Sequence, residues 1–239
     1  MLERVTVTSY VTPLREGGSL PAVVEADNLG TYVLKFRGAG HGNLALVAEI
    51  ICAGLARRLG FRVPELALAW LDPKIAASEP DQEIQELLRA SEGLNLAVDF
   101  LPGSAGFDPL GWTADEDFAS ELLWLDALTL NVDRTWRNPN LLVWHGDIWL
   151  IDHGAALYFQ HDWSRADPAK PFDARHHVVK DRAKKLAAAH ARLDPQVTTE
   201  LLAEVTADVP PEWFGERGPG AYVELLAKRA PLVAEVIRR

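Results

Sequence analysis

A chain of 239 residues, 48% hydrophobic and 24% charged, can bury a substantial core as one domain or as two lobes. Its 24 basic and 34 acidic residues give a net charge of −10, a poor match to a general nucleic-acid binder, although a single nucleotide needs only a local lysine and a set of backbone amides. Cys52 is the only cysteine, so an internal disulfide and a thiolate zinc cage are excluded.

No uncharged apolar run reaches the roughly 18 residues that a membrane span requires. The start, MLERVTVTSY, lacks the basic-then-apolar layout of a signal peptide, and a cytoplasmic protein is expected. In chain order, Val5–Thr12, Pro21–Glu25 and Tyr32–Phe36 read as strands of a meander, joined by the turn-forming segments Arg15–Leu20 and Asp27–Gly30. The glycine-rich stretch Gly38-Ala-Gly-His-Gly42 follows. A helix then places Leu44, Val47, Ala48, Ile51, Cys52, Leu55 and Leu59 on one face, with Gly60 where a terminating glycine belongs. Pro64–Leu71 and Leu94–Leu101 read as further strands around a short helix at Glu83–Ala90. Pro102–Gly106 is the expected lobe boundary. Beyond it the pattern predicts helices over Asp117–Asn131, Val178–Leu193, Pro195–Ala207 and Ala221–Arg239, with one β-hairpin between the first two. The class is α+β, with a β-rich unit of residues 1–103 carrying one main helix and a mostly helical unit of residues 104–239.

The hairpin carries the chemistry. Leu141–Trp144 and Ile148–Ile151 flank the turn His145-Gly-Asp147. With those three residues as the loop, Asp152 faces Asn140, and Asn138 lies one or two positions beyond. Asp133 lies just upstream, where the chain leaves a helix. A carboxylate and amide oxygens converging at the open end of one hairpin suit a hard cation such as Mg²⁺, and nothing nearby offers the sulfur and histidine set of zinc.

On these residues the chain resembles a known family. Asp133-Arg-Thr-Trp-Arg-Asn138 matches the kinase spacing D-x-x-x-x-N, and Ile151-Asp-His-Gly154 looks like the D-F-G segment with His153 in place of Phe. Tyr32-Val-Leu-Lys-Phe36 resembles the kinase strand V-A-I-K. The set is similar to the HipA-like kinases, relatives of the phosphatidylinositol kinases, over roughly residues 1–160, without the separate N-terminal domain of the best-known members. Thr135 stands where many members have histidine, and no G-x-G-x-x-G joins the first strands.

The resemblance implies a bilobal kinase-like fold, ATP and Mg²⁺ as nucleotide and ion, and a hydroxyl acceptor, on a protein Ser/Thr or a small molecule. It implies Asp133 as base, Lys35 on the α- and β-phosphates, Glu49 as the ion-pair partner of Lys35 from the edge of the helix's buried stripe, and Asn138 with Asp152 on the metal. Backbone groups around Val98, Asp99 and Phe100 would meet the adenine edge. The phosphates would be covered by Gly17 and Gly18, or alternatively by Gly38–Gly42. Asn140 is either a further metal or phosphate contact or a turn residue. Arg134 and Arg137 either grip a phosphate or acidic substrate or pair with local acids. Trp136 could line an acceptor pocket, and the pair His176-His177 reads as a loop or helix start. A catalytically silent nucleotide sensor is the alternative to an enzyme; the joint survival of Lys35, Asp133, Asn138 and Asp152 favours the enzyme.

Overall fold

The computed structural model describes residues 1–14, 20–40 and 42–238, except for the side chain of Ser78. By contact density the chain divides into two compact units, residues 1–46 with 64–102, and residues 47–63 with 103–239.

In the first unit, β1 (Glu3–Pro13), β2 (Ala22–Ala26), β3 (Thr31–Lys35), β4 (Leu66–Leu71) and β5 (Gly93–Asp99) close into a barrel in the order β1-β2-β3-β5-β4. Neighbours run antiparallel except β1 and β4, which pair in parallel, Glu3 opposite Ala67 through Thr6 opposite Trp70. Period-two alternation turns Val5, Val7, Val24, Tyr32 and Leu34 into a common core with Leu71 and Ala97, capped by Ile84 and Leu88 of α2 (Gln82–Ala90). Lys35, half-buried, leaves β3 on the face opposite Tyr32 and Leu34. The turn from β2 to β3 is held by Asn28 Oδ1, which accepts the Gly30 N–H at 3.0 Å.

Helix α1 (Asn43–Arg58) stops where expected: Gly60 takes φ +97°, a left-handed conformation that favours glycine. The division differs from a first unit of 1–103 in one respect, since residues 47–63 count with the second unit. The contacts explain it. Arg58 pairs with Glu204 at 2.7 Å, Phe61 meets the ring of Phe118 edge-on, and the Arg62 carbonyl accepts the Leu150 N–H at 2.9 Å.

In the second unit, α3 (Glu116–Thr129) is capped by Asp115, whose Oδ1 accepts the Phe118 N–H at 2.7 Å. Its Leu122, Leu123, Trp124, Leu125 and Leu128 are buried. The hairpin forms from β7 (Leu141–Trp144) and β8 (Asp147–Leu150), and a short strand β6 (Ala105–Gly106) adds to β7. Its register corrects the sequence reading by one residue: Leu141 pairs with Leu150 and Trp144 with Asp147, so the loop is His145-Gly146 alone. Both loop residues have positive φ, +51° and +85°, the two-residue turn that matches strand twist.

Three helix expectations are also corrected. Residues 178–182 are turns, 183–185 are irregular, and only α4 (Leu186–Leu193) is helical. The Val178 N–H donates to the Arg134 carbonyl and the Lys185 N–H to Ser120 Oγ, so those amides serve neighbouring segments instead of a helix ladder. The next helix, α5 (Thr199–Thr206), starts later than Pro195 because Thr198 caps it, and Asp194–Gln196 is a 3₁₀ turn. The last stretch breaks at Pro231: α6 (Pro219–Arg229) gives way to a 3₁₀ turn and α7 (Val233–Val236). Strand β10 (Ile237–Arg238) then pairs in parallel with β9 (Phe172–Asp173).

Candidate functional site

The segment after α3 folds back on itself. Leu130 ends the helix in a left-handed conformation, and Asn131 Oδ1 accepts the Asp133 N–H at 3.3 Å. The Thr135 N–H reaches the Asp133 carbonyl at 2.9 Å and the Asn138 carbonyl at 3.0 Å, while Thr135 Oγ1 accepts the Asn138 N–H at 3.2 Å. Thr135 thus closes the loop locally. The turn brings Asn138 Nδ2 to 2.8 Å and Asn140 Nδ2 to 3.1 Å from Asp133 Oδ2. Three of the sequence-selected residues therefore meet at one carboxylate. Asp133 is partly exposed and Asn138 exposed, so this group faces solvent on one side.

Asp152 lies two residues past the end of β8, exposed, at φ +54°. Asn140 has φ +49°, and the Ile151 N–H donates to its carbonyl at 3.1 Å, which extends the hairpin pairing to its open end. With the observed register Asp152 follows opposite Pro139, one position from the expected Asn140. Left-handed conformations cost a non-glycine residue about 1–3 kcal/mol and persist only where the surroundings hold them. Asn140 and Asp152 share this conformation with Leu130 and His145 of the same segment, and Asn and Asp adopt it more readily than other side chains.

Arg134 resolves the alternatives left open for it. Its side chain is 1% exposed; Nε donates to Asp126 Oδ2 at 2.7 Å, and Nη1 donates to the Asn140 carbonyl. It is enclosed and pairs with a local acid. Arg137 stays outside, its guanidinium 4.7 Å from the centre of the Trp136 ring, and Trp136 is 57% exposed.

Asp126, buried in α3, is the acid the sequence reading missed. Its Oδ1 accepts Asn131 Nδ2 at 3.2 Å, and Oδ2 also faces His177 Nε2 at 2.9 Å. Burial alone would raise its carboxyl pKa, but the charge of Arg134 and the hydrogen bond from His177 outweigh it and hold the group below its ordinary value. The signal was present: a lone acid inside Leu-Leu-Trp-Leu-Asp-Ala-Leu needs a charged partner if buried. His177 sits in a loop, and Thr135 forms an isolated bridge with it.

Glu49 lies within the buried face of α1, 3% exposed, and not at its edge; its Oε2 is 3.7 Å from Nδ1 of the buried His153. Lys35 and Glu49 fall in different units. At Val98–Phe100, where an adenine contact is expected, two backbone N–H groups already have partners within the first unit. The Asp99 N–H already donates to the Glu65 carbonyl at 2.8 Å and the Phe100 N–H to the Thr31 carbonyl at 3.0 Å, while Val98 is laddered to both Val33 and Leu66. Gly17 and Gly18 lie outside the described residues. In the alternative loop, the Gly38 N–H donates to Ser91 Oγ at 3.2 Å, and a Cβ on Gly38 would meet the Ala90 carbonyl at 2.9 Å. That glycine is needed for close backbone approach within the first unit.

A profile described as HipA-like kinase matches residues 7–226. The chain belongs to the HipA-like kinase family. No curated protein sequence matches it. Among solved structures, this HipA-like kinase chain is similar to the proinflammatory kinase CtkA of Helicobacter pylori, with a TM-score of 0.60 at 13% identity over 99% of this chain and 95% of that one. It is also similar to the Golgi casein kinase with Mn and ADP bound, with a TM-score of 0.53 at 14% identity over 98% of this chain and 73% of that one. At such identities the likeness is one of fold. Among the described residues, no helix of this HipA-like kinase chain is long and apolar enough to cross a membrane.

Proposed function

We propose that the chain is an ATP-dependent phosphotransferase that moves the γ-phosphoryl group to a hydroxyl, with a protein Ser/Thr as the acceptor class. The observation that carries this is the Asp133 carboxylate, fixed by the Asn138 and Asn140 amides at the mouth of the hairpin. The name of the casein kinase neighbour supports a protein acceptor.

Asp133 orients the acceptor hydroxyl and takes its proton as the new oxygen–phosphorus bond forms; the bond from the γ-phosphorus to its bridging oxygen breaks, and ADP leaves with the electron pair. Positioning supplies much of the rate here, because a loosely bonded phosphoryl group needs little covalent help. Lys35 is proposed for the non-bridging phosphate oxygens.

The donor set fits Mg²⁺. Asn138 uses its amide nitrogen on Asp133, which leaves the carbonyl oxygen as a hard ligand, and Asp152 is exposed just past the hairpin. Among the described residues no group of three or more His, Cys, Asp or Glu is placed to hold an ion, and Mg²⁺ in phosphotransfer sites does not need one: one or two protein oxygens, phosphates and waters complete its shell. When bound, the ion neutralises charge on the phosphate oxygens.

The test is transfer from [γ-³²P]ATP to dephosphorylated casein or to the chain itself. Label with the wild type and none with Asp133→Ala or Asp152→Ala supports the reading; equal label in all three overturns it.

A further inference from the structure

Two aspartates seven positions apart are joined by hydrogen bonds, and only one of them faces solvent. Asp126 is fully buried in the last turn of α3. From its carboxylate two chains of contacts run to Asp133. One passes through Asn131, whose Nδ2 donates to Asp126 Oδ1 and whose Oδ1 accepts the Asp133 N–H. The other passes through Arg134, which donates Nε to Asp126 and Nη1 to the Asn140 carbonyl; Asn140 Nδ2 then donates to Asp133 Oδ2. The first chain fixes the backbone of Asp133 and the second its carboxylate.

His177 completes the arrangement. Its Nδ1 accepts the Val179 N–H at 3.4 Å, so Nε2 carries the hydrogen and donates to Asp126 Oδ2. The same segment grips the loop by backbone: the Trp136 N–H donates to the His176 carbonyl and the Val178 N–H to the Arg134 carbonyl, each at 3.2 Å. Asn140 is held at φ +49° by what binds its carbonyl, namely Arg134 Nη1 and the Ile151 N–H. Loosening Asp126 or His177 therefore releases the guanidinium that keeps Asn140 turned toward Asp133.

We infer that Asp126 and His177 are positioning residues for Asp133, setting the aim of its carboxylate through Asn131, Arg134 and Asn140 without touching substrate. The inference rests on the reading of Asp133 as the proton acceptor. A displacement of the order of 1 Å in such a group costs roughly 100-fold in rate.

The experiment uses His177→Phe, which keeps a ring beside Phe172 but removes the donor, and His177→Gln, which keeps an N–H. Turnover is read as phosphoryl transfer from [γ-³²P]ATP to dephosphorylated casein. His177→Phe is expected to lower kcat roughly 10- to 100-fold. KM for ATP stays within about twofold, and His177→Gln recovers most of the loss. An unchanged kcat in His177→Phe, an equal loss in His177→Gln, or a rise in KM matching the loss of kcat overturns the inference. A second measurement does not depend on turnover: hydrogen exchange of the Asn138 and Asn140 side-chain amides, followed by NMR, is expected to quicken roughly tenfold in His177→Phe and not in His177→Gln. If the wild type transfers no phosphoryl group to casein or to itself, the proposed function fails and the exchange rates alone decide the positioning role; equal rates in all three proteins sink it. Should His177→Phe not fold, Asp126→Asn replaces it under the same expectations.

Discussion

Asp126 and Asp133 share one short segment and opposite surroundings. Asp126 is enclosed, faces the Arg134 guanidinium and the His177 ring, and keeps its charge because those partners offset its desolvation. Asp133 lies at the surface and takes its hydrogen bonds from neutral amides, which fix its direction without neutralising it. A carboxylate already matched to a guanidinium is a poor proton acceptor. One held only by amides can meet a hydroxyl and a proton. The buried acid holds the loop together, and the partly exposed acid is the one the proposed function uses.

That contrast can be broken most severely at Asp133. Asp133→Ala is expected to lower kcat about 10²- to 10⁴-fold with the fold intact, as measured by phosphoryl transfer and circular dichroism together. The opposite profile is expected at the buried partner. Arg134→Met leaves the Asp126 charge buried without its guanidinium and should destabilise the protein by about 3–5 kcal/mol in urea unfolding. A loss below about 1 kcal/mol would mean that the pair contributes little.

Acid sharpens the comparison further. Asp126 has a folded-state pKa below its ordinary 3.8, so its contribution is present above that value and lost as pH falls through the lowered one. Unfolding free energy should therefore decline as pH falls below about 3.8, and decline less steeply in Asp126→Asn. A smaller signal comes from Cys52 of α1. Burial, and then the charges of Glu49 and Asp126, push its thiol well above the ordinary range. Iodoacetamide at about pH 8 should leave it unmodified in the folded protein and label it after unfolding. The smallest effect belongs to Arg137→Ala on the exposed side of the same loop, expected within about 0.5 kcal/mol of wild type in the same urea titration.

What the sequence made legible follows the same division. Local pattern was enough for β3 with Lys35, for α1 with Gly60, and for the hairpin, because each is set by residues close together in the chain. The hairpin register slipped by one because Asp147 was counted in the loop, whereas His145-Gly146 makes the turn alone. Barrel closure was not readable, since the parallel pairing of β1 with β4 joins segments some 60 residues apart and leaves no local mark. Residues 178–185 carry apolar spacing that suits a helix, yet amides in that stretch bind the Asp133 loop and α3. At the candidate site, Asp133, Asn138, Asn140 and Asp152 could be picked out by spacing. Asp126 and His177 could not, because their roles exist only through each other.

The most direct test is a structure with Mg²⁺ and a non-hydrolysable ATP analogue. The account expects one ion about 2.1 Å from both Asp152 and the Asn138 carbonyl oxygen, touching the terminal phosphates, with Asp133 beside the γ-phosphate. An ion and phosphates bound elsewhere, with Asp152 and Asn138 turned apart, would contradict it.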